Sequence, residues 1–158
     1  MRNVSFLAVA VVFAAATAAC GPAPTIPAPK IEETTFAAAL KVDLEASTRL
    51  STGEYVRDLE VGDGDEVMRG KLISVVYTGN LANGTQFDSN DNATAAPFSF
   101  RYGAGEVIKG WDQGFDGMKV GGVRQLIIPP SLGYGVSGVP PRIPSNAILV
   151  FMVRLKDA

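Results

Sequence analysis

Residues 97–118 read PFSFRYGAGEVIKGWDQGFDGM. Phe98, Phe100 and Tyr102 alternate with Ser99 and Arg101, the period of an extended strand, so one face of that strand is aromatic. The segment from Val107 to Met118 holds the only tryptophan, Trp111, and reads as a loop entering a short helix. So brief a helix does not persist alone and needs a sheet to pack on. Strand signals lie on both sides. Lys71–Thr78 (KLISVVYT) is rich in β-branched residues and reads as a buried strand, and Asn83-Gly84 after it is a hairpin signal. Gly122–Ile128 and Ile148–Leu155 are two further strands, and Glu54–Val61 alternates loosely, as an edge strand does. Val61–Asp65 is a turn, and Gly133–Asn146 is a loop carrying Pro140, Pro141 and Pro144. The expected fold is α+β: a curled antiparallel β-sheet wrapped around one short α-helix.

At 158 residues the chain has room for one ordinary domain and a short extra segment. With 47% hydrophobic and 19% charged residues, a packed core is expected rather than disorder. The net charge of -2 lacks the basic footprint of nucleic-acid binding. The N-terminus has its own logic. Arg2 precedes an apolar run, Val4–Ala16, shorter than the ~20 residues that span a bilayer and suited to the core of a secretory signal peptide. Thr17, Ala18 and Ala19 lead to Cys20, the only cysteine. This resembles a bacterial lipoprotein signal, although Thr17 stands where leucine is usual. Two readings stay open: Cys20 is lipidated and anchors the chain to a membrane, or a plain signal peptide is cut near Ala19 and Cys20 is incidental. Under the first the protein is an exported lipoprotein, periplasm-facing or on the cell surface, and Gly21 favours the outer membrane where there is one. Under the second it is soluble and secreted or periplasmic.

The expected organisation is a signal peptide over 1–19 and a lipidated cysteine with a proline-rich tether over 20–33. An extension over 34–50 follows, with a short helix at Thr34–Leu44, and one domain over 51–158. The extension helix rests on Phe36, Leu40 and Leu44 at helical spacing. In the last strand Leu149, Phe151, Val153 and Leu155 face the core by period two. Ile148, Val150 and Met152 are then left as an outer apolar stripe, which the extension would cover.

Several catalytic signatures fail on spacing. The chain has no histidine, which removes imidazole as base, proton shuttle or metal ligand. Asp88-Ser89-Asn90-Asp91-Asn92 starts like a calcium loop, but Ala93 and Ser99 occupy the positions of its glycine and its bidentate glutamate. Gly105–Gly110 has P-loop spacing with Trp111 in place of the lysine, and Gly103-Ala104-Gly105 lacks the third glycine of a dinucleotide fingerprint. No metal site and no cofactor is expected.

What remains is an ordered series of aromatic and glycine blocks. They are Val76-Tyr77-Thr78-Gly79, Gly84-Thr85-Gln86-Phe87-Asp88-Ser89, Pro97–Phe100, Gly105–Asp112, Gly117–Gly121, Ile128-Pro129-Pro130, Leu132–Gly135 and Ile143–Phe151. Together, in this order over nearly all of Ser51–Leu155, they resemble the FKBP-type peptidyl-prolyl cis-trans isomerases. The resemblance implies a pocket between sheet and helix. Tyr77, Phe87, Asp88, Ile108, Trp111 and Tyr134 would be its catalytic residues, and Phe98, Val107, Ile143 and Phe151 would complete the substrate-binding wall. Trp111 would be the floor, and the Ile108 N–H and Tyr134 hydroxyl would donate to substrate carbonyls. Phe100, on the same strand as Phe98, is expected in the core.

Three departures touch the rim. No arginine follows Asp88 in the loop, which is one residue longer. Val139 stands where the flap often has histidine, and Leu132 replaces an aromatic. The implied partners are proline-containing polypeptides and macrolides of the rapamycin type, with the chain acting as a monomer. A non-catalytic binding module or holdase with the same cup is the competing reading. The absence of a large inserted loop between Tyr134 and Phe151 counts against it.

Overall fold

The computed structural model describes residues 27–92 and 94–158. The expected signal peptide over 1–19 and Cys20 lie outside them. Seven strands, β1 (Thr48–Arg49), β2 (Tyr55–Glu60), β3 (Leu72–Leu81), β4 (Gln86–Ser89), β5 (Phe98–Arg101), β6 (Val123–Ile128) and β7 (Leu149–Asp157), surround one helix, α1 (Lys109–Gly114). All pairings are antiparallel, in the order β1-β2-β6-β7-β3-β4. β5 pairs with the lower half of β3, Leu72–Val75, and β4 with its upper half, Thr78–Asn80. Both sit on the edge of β3 opposite β7.

The inner face of this sheet follows from strict alternation. Ile73 and Val75 of β3, Leu126 and Ile128 of β6, and Leu149, Phe151, Val153 and Leu155 of β7 form one core with Phe100, Tyr102, Trp111, Phe115 and Met118. Phe100 is 3% exposed, a core residue as expected. Helix α1 lies flush on the sheet because Gly110 has no side chain: a Cβ there would meet Ile128 carbons at 2.6 Å. The carbonyl of Gly114 at the helix end, and that of Asp116 beyond it, accept from Arg124 Nη1, both at 2.8 Å. At the other end the Asp112 carboxylate accepts from the Gly103 and Gly105 N–H groups at 3.1 and 2.7 Å, which holds the loop leading into the helix.

The N-terminal extension covers the outer face at Ile148 and Val150 but not at Met152, which is only half-buried and stands outside this cluster. Ile31 and Leu40 bury against Tyr55, Ile127, Ile148 and Val150, with Phe36, Ala37, Val42 and Leu44 packed at the margin. Every residue of β6 is buried, and over Gln125–Ile128 the core lies on one side and the extension on the other. Gln125, on the outer face of β6, donates from Nε2 to the Leu40 carbonyl at 2.7 Å.

Two expectations need correction here. The extension is not an α-helix over Thr34–Leu44. It makes two single 3-10 turns, Ile31–Glu33 and Ala38–Leu40, separated by an extended stretch. The cause is the sheet beneath it: the Ala37 N–H donates to the Ala82 carbonyl at 2.9 Å, and Lys41 turns left-handed at φ 49° just after Leu40. Docking bonds of this kind outweigh a helix too short to pass its nucleation cost. Likewise β2 is not an edge strand, since the two-residue β1 pairs along its outer side.

Candidate functional site

The pocket opens where the upper half of β3, β4 and β5 curl over the start of α1. Its volume is about 520 Å³, and it is lined by Tyr77, Phe87, Asp88, Phe98, Glu106, Val107, Ile108, Trp111, Tyr134 and Phe151. Trp111, 4% exposed, stands on the first turn of α1. Tyr77 meets it edge-on at 5.0 Å between ring centroids, and Phe151 of β7 does so at 5.3 Å. Phe87 of β4 stands perpendicular to Phe151 at 5.5 Å. Such T-shaped contacts let a few rings enclose a cup without filling it. Gly79 makes this corner feasible, because a Cβ there would lie 2.8 Å from ring atoms of both Phe87 and Phe151.

Polar groups enter the cup at its rim. The Tyr77 hydroxyl donates to Asp88 Oδ2 at 2.7 Å, while Asp88 Oδ1 accepts from the Ser89 N–H at 2.9 Å. Burial, then the bond to Asp88, pushes the Tyr77 hydroxyl far above its ordinary pKa. Burial, then the Asp88 charge, raises that of Tyr134 as well. Both hydroxyls therefore stay protonated and able to donate at neutral pH. The Tyr134 hydroxyl makes no hydrogen bond among the described residues. The Ile108 N–H also has no partner among them, although the Ile108 carbonyl accepts the first bonds of α1.

The structure brings together every residue expected at the site except Ile143 and Cys20. Cys20 lies outside the described residues. Ile143 is a core residue, 4% exposed, and does not line the cavity. The flap folds back on itself through paired backbone bonds between Val139 and Ile143 at 2.8 and 2.9 Å. Glu106 lines the mouth and was not singled out from sequence. Its Oε2 accepts from the Arg101 N–H at 2.9 Å. Its position directly before Val107 and Ile108 was the available signal.

Comparison with known proteins decides the family. The profile described as FKBP-type peptidyl-prolyl cis-trans isomerase matches residues 64–156. The chain belongs to this family. It is similar to the "FK506-binding protein" of Neisseria meningitidis serogroup B, with 50% identity over 103 residues, covering 65% of this chain and 94% of that protein. It is also similar to "FK506-binding protein 4" of Rhizopus delemar, 49% identical over 108 residues. That match covers 68% of this chain but only 28% of the Rhizopus protein. Among solved structures, the crystal structure of AtFKBP13 superposes with a TM-score of 0.66 at 40% identity, covering 71% of this chain and 98% of that one. The antiparallel sheet with its one short helix is thus the FKBP fold.

Proposed function

We propose that this FKBP-family chain accelerates cis–trans rotation of X-Pro bonds in polypeptides outside the cytoplasm. The observation that carries the reading is the aromatic cup of Tyr77, Phe87, Trp111 and Phe151 with two donors, the Ile108 N–H and the Tyr134 hydroxyl, unpaired at its rim. Rotation about a peptide bond has a barrier of ~18–20 kcal/mol because resonance gives the C–N bond double-bond character. No bond is broken, so neither nucleophile nor cofactor is required. The planar amide is more dipolar than the twisted transition state. Placing the prolyl amide among aromatic rings therefore raises the ground state relative to the twisted one. The Ile108 N–H and Tyr134 hydroxyl hold the flanking carbonyls while the bond turns, and the Tyr77–Asp88 bond braces the wall. A thousandfold acceleration requires only about 4 kcal/mol.

The same cup would accept FK506- or rapamycin-type macrolides, a reading supported by the names of the relatives. Without the arginine beside Asp88, and with Val139 in the flap, affinity should fall short of the family's best macrolide binders. Lipidation of Cys20 would place the domain at a membrane as a monomer on a proline-rich tether.

The test is a protease-coupled isomerisation assay across several X-Pro peptides, run on wild type and Phe87→Ala, with Trp111 fluorescence as the binding signal. Wild type should be active and inhibited by FK506. Phe87→Ala opens the cup to water and should lose most of that activity, about tenfold or more, which corresponds to ~1.4 kcal/mol. A folded wild type with no isomerisation, whose Trp111 ignores peptide and FK506 alike, would overturn the assignment in favour of a binding module with other ligands. Full activity in Phe87→Ala would refute the pocket mechanism alone.

A further inference from the structure

The edge of β3 that carries β4 and β5 has a gap. β4 pairs with Thr78 and beyond, β5 pairs up to Val75, and Val76 and Tyr77 lie between them. A gap in a ladder leaves backbone groups without partners, and here it falls beside the pocket wall. Two side chains close it: Ser89 Oγ donates to the Tyr77 carbonyl at 3.0 Å, and Asn90 makes the remaining side-chain bonds. Asn90 Oδ1 accepts from the Tyr77 N–H at 2.7 Å, and Asn90 Nδ2 donates to the Val75 carbonyl at 3.1 Å and to the Ala96 carbonyl at 3.3 Å. The Asn90 N–H in turn donates to the Tyr77 carbonyl at 3.1 Å. The carboxamide thus stands in for a missing stretch of strand, and it ties the end of β4 to the start of β5 across an exposed loop.

We propose that Asn90 is a positioning residue of the pocket: its carboxamide fixes the Tyr77 backbone, and through it the Tyr77 ring and the Phe98 side chain that face each other across the rim. The proposal rests on the isomerase reading above. Tyr77 contacts Trp111 at 5.0 Å and Phe98 at 6.3 Å, and its hydroxyl holds Asp88. A shift of its Cα would therefore move both walls of the cup and the carboxylate together. The loop after Asp88 has no arginine to brace that carboxylate from outside, which leaves Tyr77 as its side-chain partner and Asn90 as the side chain that holds the Tyr77 N–H.

Asn90→Ala removes all three side-chain bonds. Asn90→Asp keeps the acceptor for Tyr77 and turns the donor into an oxygen facing two carbonyls. Each is made in the wild-type and in the Tyr77→Ala background, and kcat/KM is measured with thermal unfolding alongside. Amide exchange at Tyr77 and FK506 affinity, read by Trp111 fluorescence, are compared between wild type and the Asn90 variants.

If Asn90 acts through Tyr77, Asn90→Ala lowers kcat/KM roughly tenfold in the wild-type background and less than about twofold when Tyr77 is already alanine. The Tyr77 amide should exchange at least ~10-fold faster, and FK506 should bind more weakly. Asn90→Asp should fall between wild type and Asn90→Ala. Equal losses in the two backgrounds, or unchanged activity and FK506 affinity in a folded Asn90→Ala, would overturn the proposal. So would loss of folding in both variants, since the residue would then be structural only. An inactive wild type would sink the isomerase reading, while Tyr77 exchange and FK506 affinity would still decide the role of Asn90.

Discussion

Glu54 is the least accommodated charge in the described residues. It directly precedes β2, its side chain is 0% exposed, and neither carboxylate oxygen has a hydrogen-bond partner. It lies under the end of α1, where a Cβ on Gly114 would come within 2.9 Å of its Oε1, with Leu126 alongside. The nearby Arg124 guanidinium is already engaged, bidentate with Asp58 and bonded to the Gly114 and Asp116 carbonyls. Burial pushes the Glu54 carboxyl from 4.5 up to about 8. A carboxyl whose pKa rises on folding binds its proton more tightly in the native state. The contribution of Glu54 to stability should thus be greatest below pH 4.5, decline as pH rises towards 8, and level off above it. At ~1.4 kcal/mol per pKa unit the loss between pH 5 and 8 is on the order of 3 kcal/mol. Against a typical total of ~5–15 kcal/mol this is large. Urea unfolding of wild type and Glu54→Gln at pH 5, 6, 7 and 8 reads it directly. The wild-type midpoint should fall by about 1–3 M relative to Glu54→Gln across that range. Parallel profiles for the two proteins would refute the reasoning.

Two other outcomes can be checked more briefly. Leu40→Ala should cost about 2 kcal/mol and speed amide exchange in β6 and β7, while leaving isomerisation intact because the pocket is on the other side of the sheet; unchanged exchange would mean that the extension does not hold the sheet. Wild-type chain expressed from Met1 should partition into the detergent phase and Cys20→Ser into the aqueous phase. Identical partitioning of the two would end the lipid-anchor reading.

The legible parts of the fold were those in which periodicity and burial coincide. Leu149, Phe151, Val153 and Leu155 face the core and Ile148 and Val150 the extension, as alternation requires. The same alternation signalled that a bare outer stripe needed a cover. It did not specify the conformation of that cover. Phe36, Leu40 and Leu44 recur at helical spacing, yet a segment held by a backbone bond to Ala82 and a side-chain bond from Gln125 reaches the same face through two short turns. The two-residue β1 carries no pattern long enough to read, and Glu54 offers no local sign that its carboxylate is buried.

At the site the distinction is sharper. The rings of the cup were legible because each belongs to a block with its own glycine or turn, and the blocks occur in one order. Ile143 falls outside the cavity lining, in a flap whose bend at Val139 is a long-range outcome. In sequence Asn90 shows only as part of a failed calcium loop and of the longer loop without an arginine after Asp88. Its role exists because β4 and β5 stop short of each other on the same edge of β3, so that a side chain meets backbone groups that no strand reaches. No local pattern encodes the place where two strands end. A polar residue in such a gap is recognised only after every backbone donor and acceptor along the edge has been assigned a partner. That assignment links a loop residue to the wall of the pocket, through a carboxamide bonded to the backbone of the same Tyr77 whose hydroxyl holds Asp88.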